Sequence, residues 1–373
     1  MNFRRVLYGA WIFWMVISVP AFPKGRLPPP MPEFQAWVAY FRAVEGFQDY
    51  RKVGAVLKDI SVFALQFDEE GRLIPANDSV RELLPKLKTE RPGARLWLTA
   101  VNDVRAAGQN MLKDPEIVHE TLAVPEKLSR HIQELLTWSR DVDGIDIDYE
   151  GLKLEDTEAF SRFIKELAAA LHSQGKCLSV TVEPKVSRVP GDGARTIDWK
   201  RCAAAADQIR VMAYFYYSPR GNPGPIAPLA WLSDLARFAR REVPPKKLTV
   251  VLTVNGLDWS VPGTARGIRF DEVSKIAAEH GVQVARDHSS EAPHFLYSIN
   301  GEQHEVWYED SASLRAKIEQ LRGDGIRSVG FWQLGSGDPD FWQWLSSVKP
   351  TERRNSSESV LPGPPSRHSL SHS

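Results

Sequence analysis

The sequence predicts an α/β fold, a closed (β/α)₈ barrel, on three observations. Short β-branched or aromatic runs alternate with helical patterns along most of the chain. Eight such runs can be counted, and eight strands separated by helices fit a TIM barrel of about 250 residues. One run, at positions 143–150, is strongly acidic on alternate residues. A doubly wound open sheet is the structural alternative.

The predicted strands are short and each precedes a helical or turn-rich stretch. They cover Ala36–Tyr40, Ile60–Gln66, Leu96–Val101, Gly144–Tyr149, Leu178–Glu183, Gln208–Tyr214, Leu248–Thr253 and Ser328–Trp332. Apolar residues at helical spacing predict helices between them, including Ser129–Arg140, Asp156–Ser173, Leu229–Arg240 and Ser313–Arg322.

A small α+β insertion is predicted between the last two strands, at residues 270–305. This stretch is long for one connection between a strand and a helix. Within it, the run Phe295–Ile299 is followed by Asn300-Gly301, a dipeptide typical of tight hairpin turns.

The two ends of the chain differ in composition from the rest. Arg4 and Arg5 precede an apolar run and then Pro20-Ala21, which indicates a signal peptide or an uncleaved N-terminal anchor at residues 1–22. Residues 23–32 are a proline-rich linker, and residues 350–373 have too few apolar side chains to order themselves. The folded domain is therefore predicted at 33–349, in a protein working outside the cytoplasm: secreted, periplasmic or in the cell envelope.

Composition argues against several classes of partner. The formal net charge is +0 and the pI about 7.1, so no overall field attracts nucleic acid, and membrane contact is expected only if the N-terminal segment stays uncleaved. No cofactor is indicated, because the glycine pairs at 191/193 and 335/337 lack the third glycine of a phosphate-binding loop. His119-Glu120 and His304-Glu305 lack the second histidine of a zinc-binding helix, so no metal is predicted either. The two cysteines, Cys177 and Cys202, could pair or be small buried residues.

The acidic strand carries the most information about function. Side chains on a strand alternate between its faces, so the segment Asp143–Glu150 divides into two sets. In a barrel the apolar set faces the helices and the acidic set projects into the interior, where carboxylates are costly unless they share protons or hydrogen bonds. The apolar set is Ile145, Ile147 and Tyr149, and the acidic set is Asp146, Asp148 and Glu150.

Three crowded acids in a space of low dielectric should raise the pKa of at least one of them. A carboxyl group that keeps its proton at neutral pH can act as a general acid. Glu150 is last on the strand, at the mouth where barrel active sites lie, so it is the group expected to meet substrate. Asp148 and Asp146, progressively deeper, would tune and orient it.

The acidic run has two other interpretations, a solvated strand and a calcium site. A solvated strand does not normally alternate Ile-Asp-Ile-Asp. A calcium loop beginning at Asp141 would place Ile145 at its fifth position and Leu152 at its twelfth, where ligands are required.

The segment Asp143–Glu150 matches the DxxDxDxE signature of glycoside hydrolase family 18, the chitinase-like enzymes, and the chain resembles that family at other points. Its closing segment is most similar to the branch of bacterial N-acetylglucosaminidases that degrade spore-cortex peptidoglycan. The further residues that carry the resemblance are Asn102-Asp103, Met212-Ala213-Tyr214, Val306–Asp310, Gly330–Gly335 and Asp338-Pro339.

The resemblance implies a substrate-assisted retaining mechanism, in which the 2-acetamido group of the substrate is the nucleophile. It implies that Glu150 protonates the glycosidic oxygen and that Asp148 orients the acetamido N–H. Tyr214 would donate to the acetamido oxygen, and Trp332 would form the floor under the −1 sugar. Asp146 would hold Asp148 in one rotamer and one protonation state.

Other residues are weaker candidates for substrate binding. Met212 belongs to the Met-x-Tyr motif, whereas Trp37 could line the cleft or simply pack. Asn255 and Asp258 follow the seventh strand and could bond sugar hydroxyls. Tyr214 itself could be a barrel-filling aromatic residue.

The expected function is cleavage of β-linked N-acetylglucosamine polymers, of the chitin or peptidoglycan type, by a monomer. One departure motivates an alternative. Family members often have Asp directly after the Met-x-Tyr motif, where this chain has Phe215. A catalytically weak or inactive chitinase-like glycan-binding protein is therefore the alternative.

Overall fold

The computed structural model describes residues 29–90, 93–106, 109–187, 196–214, 216–261 and 263–348. Eight parallel strands form its centre. They are β1 (Glu33–Ala39), β2 (Leu57–Asp68), β4 (Arg95–Ala106), β6 (Gly144–Asp148), β7 (Cys177–Val182), β8 (Gln208–Met212), β9 (Leu248–Thr253) and β15 (Ser328–Trp332), and two short hairpin strands, β3 (Leu73–Pro75) and β5 (Gln109–Met111), extend β2 and β4.

Strand pairing closes the sheet into a barrel. Gln35 of β1 lies opposite Asp59 of β2 on one side and Gly330 of β15 on the other. The remaining pairs run β2–β4–β6–β7–β8–β9–β15 and are all parallel. The predicted (β/α)₈ barrel is therefore confirmed, and the open sheet is excluded.

Ten helices lie in the described ranges, most of them packed around the outside of the barrel. In α5, residues Phe160, Phe163, Ile164, Leu167 and Leu171 are fully buried, which is the three-and-four spacing of one helical face. The helices are α1 (Ala43–Val53), α2 (Asp78–Glu90), α3 (Pro115–Ala123), α4 (Pro125–Ser139), α5 (Thr157–Ser173), α6 (Trp199–Ala205), α7 (Leu229–Glu242), α8 (Phe270–His280), α9 (Ser311–Gly323) and α10 (Pro339–Ser347).

The floor of the barrel is a buried polar network. The Gln35 side-chain amide donates to Gln208, Thr249 and Ser328, each at 3.1 Å. Asp59 accepts two hydrogen bonds from Arg95, at 2.7 and 3.0 Å. Burial alone would raise the pKa of Asp59, but the pKa is lowered because Arg95, the charge of Arg210 and a hydrogen bond from Gln208 together outweigh burial. Most polar side chains of this floor therefore hydrogen-bond to one another, although Gln35 Oε1 is buried without a hydrogen-bond partner among the described residues.

The insertion between the last two barrel strands is larger than the predicted residues 270–305. It is a five-stranded antiparallel sheet carrying α8, and it begins at Gly256 and ends at Trp307. The prediction missed its first two strands, which pair with each other and with the hairpin. Its strands are β10 (Gly256–Val261), β11 (Ala265–Ile268), β12 (Ala285–Arg286), β13 (Pro293–Ile299) and β14 (Glu302–Trp307).

Several expectations concern residues that lie outside the described ranges. The signal or anchor segment 1–22, most of the proline-rich linker and the tail 350–373 are among them. Within the described ranges, no helix combines the length and apolar character needed to cross a bilayer. Cys177 and Cys202 are both free rather than joined in a disulfide.

Candidate active site

The acidic strand β6 presents its two faces as its alternation predicts. Ile145 and Ile147 are fully buried in the core between the strands and the helices. Tyr149 stacks on Phe163 of α5, and its hydroxyl lies 2.7 Å from Nε2 of His131. The strand begins with Gly144 because a Cβ there would collide with the Trp97 ring. The apolar face therefore anchors the strand and turns its acids inward.

Asp146 is completely buried and fully engaged. It accepts hydrogen bonds from Thr99 at 3.0 Å and from Thr181 at 3.1 Å. An Arg210 guanidinium nitrogen lies 3.3 Å from its Oδ2. These partners offset the cost of placing a carboxylate in the barrel interior.

Arg210 was not identified from the sequence. Its guanidinium lies between the rings of Trp37 and Trp97, 4.9 and 4.8 Å from their centroids, and donates to Ser61 at 2.8 Å. A buried cation sandwiched by two indoles supplies the positive charge that the acidic strand needs. The available signal was a charged residue placed between Ile209 and Val211 in a predicted strand, on the same face as Gln208.

Asp148 lies above Asp146 and is also buried. Its Oδ1 atom is buried and has no hydrogen-bond partner among the described residues. Burial raises the pKa of Asp148 well above its ordinary value; Lys113 opposes the shift, whereas Glu150, Asp146 and Asp103 add to it. Among the three acids of the set, the raised pKa that their crowding predicts falls on Asp148.

Glu150 stands at the mouth, at the end of the acidic set. Its backbone is held by Asn102, whose amide accepts from the Glu150 N–H at 3.0 Å and donates to the Glu150 carbonyl at 2.8 Å. Its side chain is about a quarter exposed (24%), so it can contact a ligand, and one carboxylate oxygen lies 2.7 Å from Nζ of Lys113. The sequence pointed to Asn102 as a family feature but not to this role, and it missed Lys113.

An apolar cluster lies beside the acids at the mouth. It contains Trp37, Met212 and Tyr214, with Trp332 packed against it. Trp332 is partly exposed and meets the Phe63 ring edge-on at 4.8 Å; its peptide bond to Gln333 is cis. Burial raises the pKa of Tyr214 well above its ordinary value, and Asp148, Glu150 and Asp146 raise it further.

Trp37 is almost fully buried, and its indole N–H donates to Thr99 at 3.1 Å. This placement favours a packing role below the mouth over contact with substrate. Met212 is likewise buried.

The two candidates after the seventh strand, Asn255 and Asp258, differ in their hydrogen-bond partners. Asn255 has a buried Oδ1 without a hydrogen-bond partner among the described residues, so it remains a candidate. Asp258 lies in the insertion sheet, where it accepts from the Tyr297 hydroxyl at 2.9 Å and contacts His304 and Arg266 at 2.9 and 3.0 Å. Its oxygens are occupied by protein groups, which favours a structural role. The sequence could not show this, because strand β10 was not predicted.

Two further points complete the site. Phe215, the departure from the family pattern, lies outside the described residues. Across the part of the chain that the structure describes, no group of three or more His, Cys, Asp or Glu side chains is arranged to hold a metal ion.

Comparison with known proteins gives concordant results. The family model for glycosyl hydrolases family 18 matches residues 123–337, more than half of the chain. A cortical fragment-lytic enzyme of Bacillus anthracis is 32% identical over 208 residues, 54% of this chain and 48% of that protein. The chain thus spans about half the length of this curated relative.

Solved structures share the fold. The spore cortex-lytic enzyme SleL of Bacillus cereus superposes with a TM-score of 0.75 at 24% identity, covering 88% of this chain and 76% of that one. A chitinase from Chromobacterium violaceum gives 0.75 at 23% identity, covering 85% and 99%. At these identities the likeness concerns the barrel and its helices.

Proposed function

This chain belongs to glycoside hydrolase family 18, and from that premise we propose that it hydrolyses β-linked N-acetylglucosamine polymers with Glu150 as general acid and base. The observation that carries the proposal is Asp148. It is a buried acid with a raised pKa, and its Oδ1 has no hydrogen-bond partner among the described residues. It is the last residue of β6, between Asp146 on the same strand and Glu150 just beyond its end.

In the first step, Glu150 gives its proton to the glycosidic oxygen, and the bond between that oxygen and C1 breaks with the electron pair going to the leaving sugar. The acetamido carbonyl oxygen of the −1 sugar forms a new bond to C1, which gives an oxazolinium ion. Asp148 accepts the acetamido N–H, and Tyr214 donates to the acetamido oxygen. Trp332 supports the sugar ring from below.

In the second step, a water molecule attacks C1 and gives a proton to Glu150. The bond between C1 and the acetamido oxygen breaks with its electron pair returning to that oxygen, which restores the acetamido group. Both displacements invert C1, so the product keeps the β configuration. This route needs no second carboxylate across the cleft, and Asp146 acts on Asp148 through its charge, which contributes to the raised pKa of Asp148. Sugars without a 2-acetamido group lack the nucleophile, so glucans and xylans are disfavoured.

Between glycans, we propose peptidoglycan ahead of chitin, because the matched relatives include proteins named for lysis of cortical fragments and of spore cortex. Work on such a polymer requires export, which agrees with the charged and apolar N-terminal pattern. We further propose that the enzyme acts as a monomer. A protein that binds glycan with little or no turnover is the second candidate, and it is favoured by Phe215 in place of the family's Asp.

Product analysis tests the proposed function. We expect purified protein to release fragments from peptidoglycan with N-acetylglucosamine at the new reducing end, identified by mass spectrometry after borohydride reduction. Chitin oligomers should be cut more slowly. Calorimetric binding of either glycan with no product after a day would favour the binding protein, and reducing-end muramic residues would contradict the proposed bond specificity.

A further inference from the structure

Lys113 is the charged residue that the proposed mechanism does not use, although it touches the proposed general acid. It follows the hairpin strand β5, and its ammonium group lies 2.7 Å from Oε1 of Glu150 and 4.0 Å from Asp103. It also lies over the Phe63 ring, 5.4 Å from the centroid. Its side chain is about one-third exposed (31%), so it lines the mouth.

Hydrogen bonds hold the backbone of Lys113 in a conformation that a lysine rarely adopts. Its φ is +58°, a left-handed conformation that favours glycine. The Lys113 N–H donates to Asp103 at 3.0 Å, and the following N–H, of Asp114, donates to the Asn102 carbonyl at 2.9 Å. Asn102 is the same residue that holds the Glu150 backbone. Strand β4 thus fixes the acid and the lysine relative to each other.

The ion pair between Lys113 and Glu150 acts when Glu150 transfers its proton. When Glu150 gives up its proton, negative charge develops on its carboxylate, and a fixed cation at hydrogen-bond distance stabilises that charge. The other groups that interact electrostatically with Glu150 are Asp148 on β6, Glu183 after β7 and Tyr214 after β8. Burial and Glu150 both raise the pKa of Glu183, and none of these three neighbours can supply a positive charge. Lys113 is the cation among the described contacts of the Glu150 carboxylate.

We propose that Lys113 is a positioning residue for acid catalysis: its ammonium group orients the Glu150 carboxyl and stabilises the anion left after proton transfer to the leaving sugar. The inference rests on the proposed function and adds a residue outside the DxxDxDxE strand. Burial would lower the pKa of Lys113, but Glu150, Asp148 and Asp103 together raise it, so the side chain stays charged during the reaction.

Two substrates with different leaving groups test the proposal. A sugar leaving group needs a proton, whereas 4-nitrophenolate departs largely without one. We expect K113M to lower kcat/KM about 10–100-fold on an N-acetylglucosamine tetramer but about threefold or less on the 4-nitrophenyl glycoside of the dimer, because general acid catalysis contributes about 10²–10⁴-fold. K113R, which keeps the charge, should recover most of the loss.

The split between kcat and KM gives a second readout. Because the lysine acts on the proton transfer and not on sugar binding, K113M should lower kcat on the tetramer and leave KM nearly unchanged. The matched control is K127M, which removes an exposed lysine paired with Glu120 on the outside of the barrel and should behave as wild type.

The outcomes distinguish a failure of the proposed role of Lys113 from a failure of the proposed function. Equal losses on both substrates, or no loss on either, would overturn the role of Lys113, provided that wild type is active and E150Q is not. A wild-type protein inactive on every substrate would instead overturn the proposed function, and with it this inference.

Discussion

Replacing Glu150 with Gln should reduce kcat on N-acetylglucosamine oligomers by at least about 10³-fold. Glutamine has the size of the native side chain but holds no transferable proton, and general acid–base groups contribute about 10²–10⁴-fold. The Asn102 bonds to the backbone of residue 150 do not involve the carboxyl group, so the fold should persist. Binding of the oligomer, measured by calorimetry, should change by less than about tenfold.

The matched control is E155Q, which alters an exposed glutamate a few residues further along the chain. It should keep wild-type turnover. If E150Q kept normal turnover as well, Glu150 would not be the proton donor and the assignment of the acidic strand would be wrong.

Replacing Asp148 with Asn should lower kcat about 10²–10³-fold, the range seen when a group that stabilises transition-state charge is removed. In the free protein, burial and neighbouring acids favour the protonated form of Asp148. The oxazolinium cation reverses that preference, because it is stabilised by an adjacent carboxylate. Asparagine reproduces the neutral form and cannot supply the negative charge. A steady-state comparison of D148N with wild type on the tetramer checks this, and an unchanged kcat would contradict it.

The same substitution should stabilise the protein. Folding raises the pKa of this carboxyl group, so its contribution to the free energy of unfolding is most favourable at low pH. That contribution is lost as the pH rises above the ordinary pKa of 3.8. Asparagine is neutral at every pH, so D148N should melt at a higher temperature than wild type at pH 8, with the gap closing near pH 4. A D148N protein that melts below wild type at pH 8 would argue against a raised pKa for Asp148.

The alternation of the acidic strand was readable from sequence because a period of two depends only on local backbone geometry. Ile145, Ile147 and Tyr149 turned outward and Asp146 turned inward for that reason alone. The strand Leu248–Thr253 was also predicted to the residue, since it is a continuous apolar and β-branched run between polar turns.

What the sequence could not supply were partners distant along the chain. Arg210 reaches Asp146 because β6 and β8 flank β7 in the barrel wall and turn both side chains inward. Lys113 reaches Glu150 because β5 pairs with β4 and returns the chain to Asp103. Neither contact can be predicted from the residues that neighbour Arg210 or Lys113 in the sequence. Asp258 was a candidate site residue in the sequence, but it lies on β10 in the insertion sheet. The sequence pattern did not predict that strand or its pairing with β14.

The configuration of the first product tests the central claim most directly. Proton NMR of tetramer hydrolysis, recorded within minutes and before mutarotation, distinguishes the two anomers at the new reducing end. Attack by the acetamido group inside the barrel, followed by water on the same face as the leaving sugar, predicts the β anomer. An initial α anomer would mean that a carboxylate-activated water attacks directly from the opposite face, and it would contradict the proposed roles of Asp148 and Glu150.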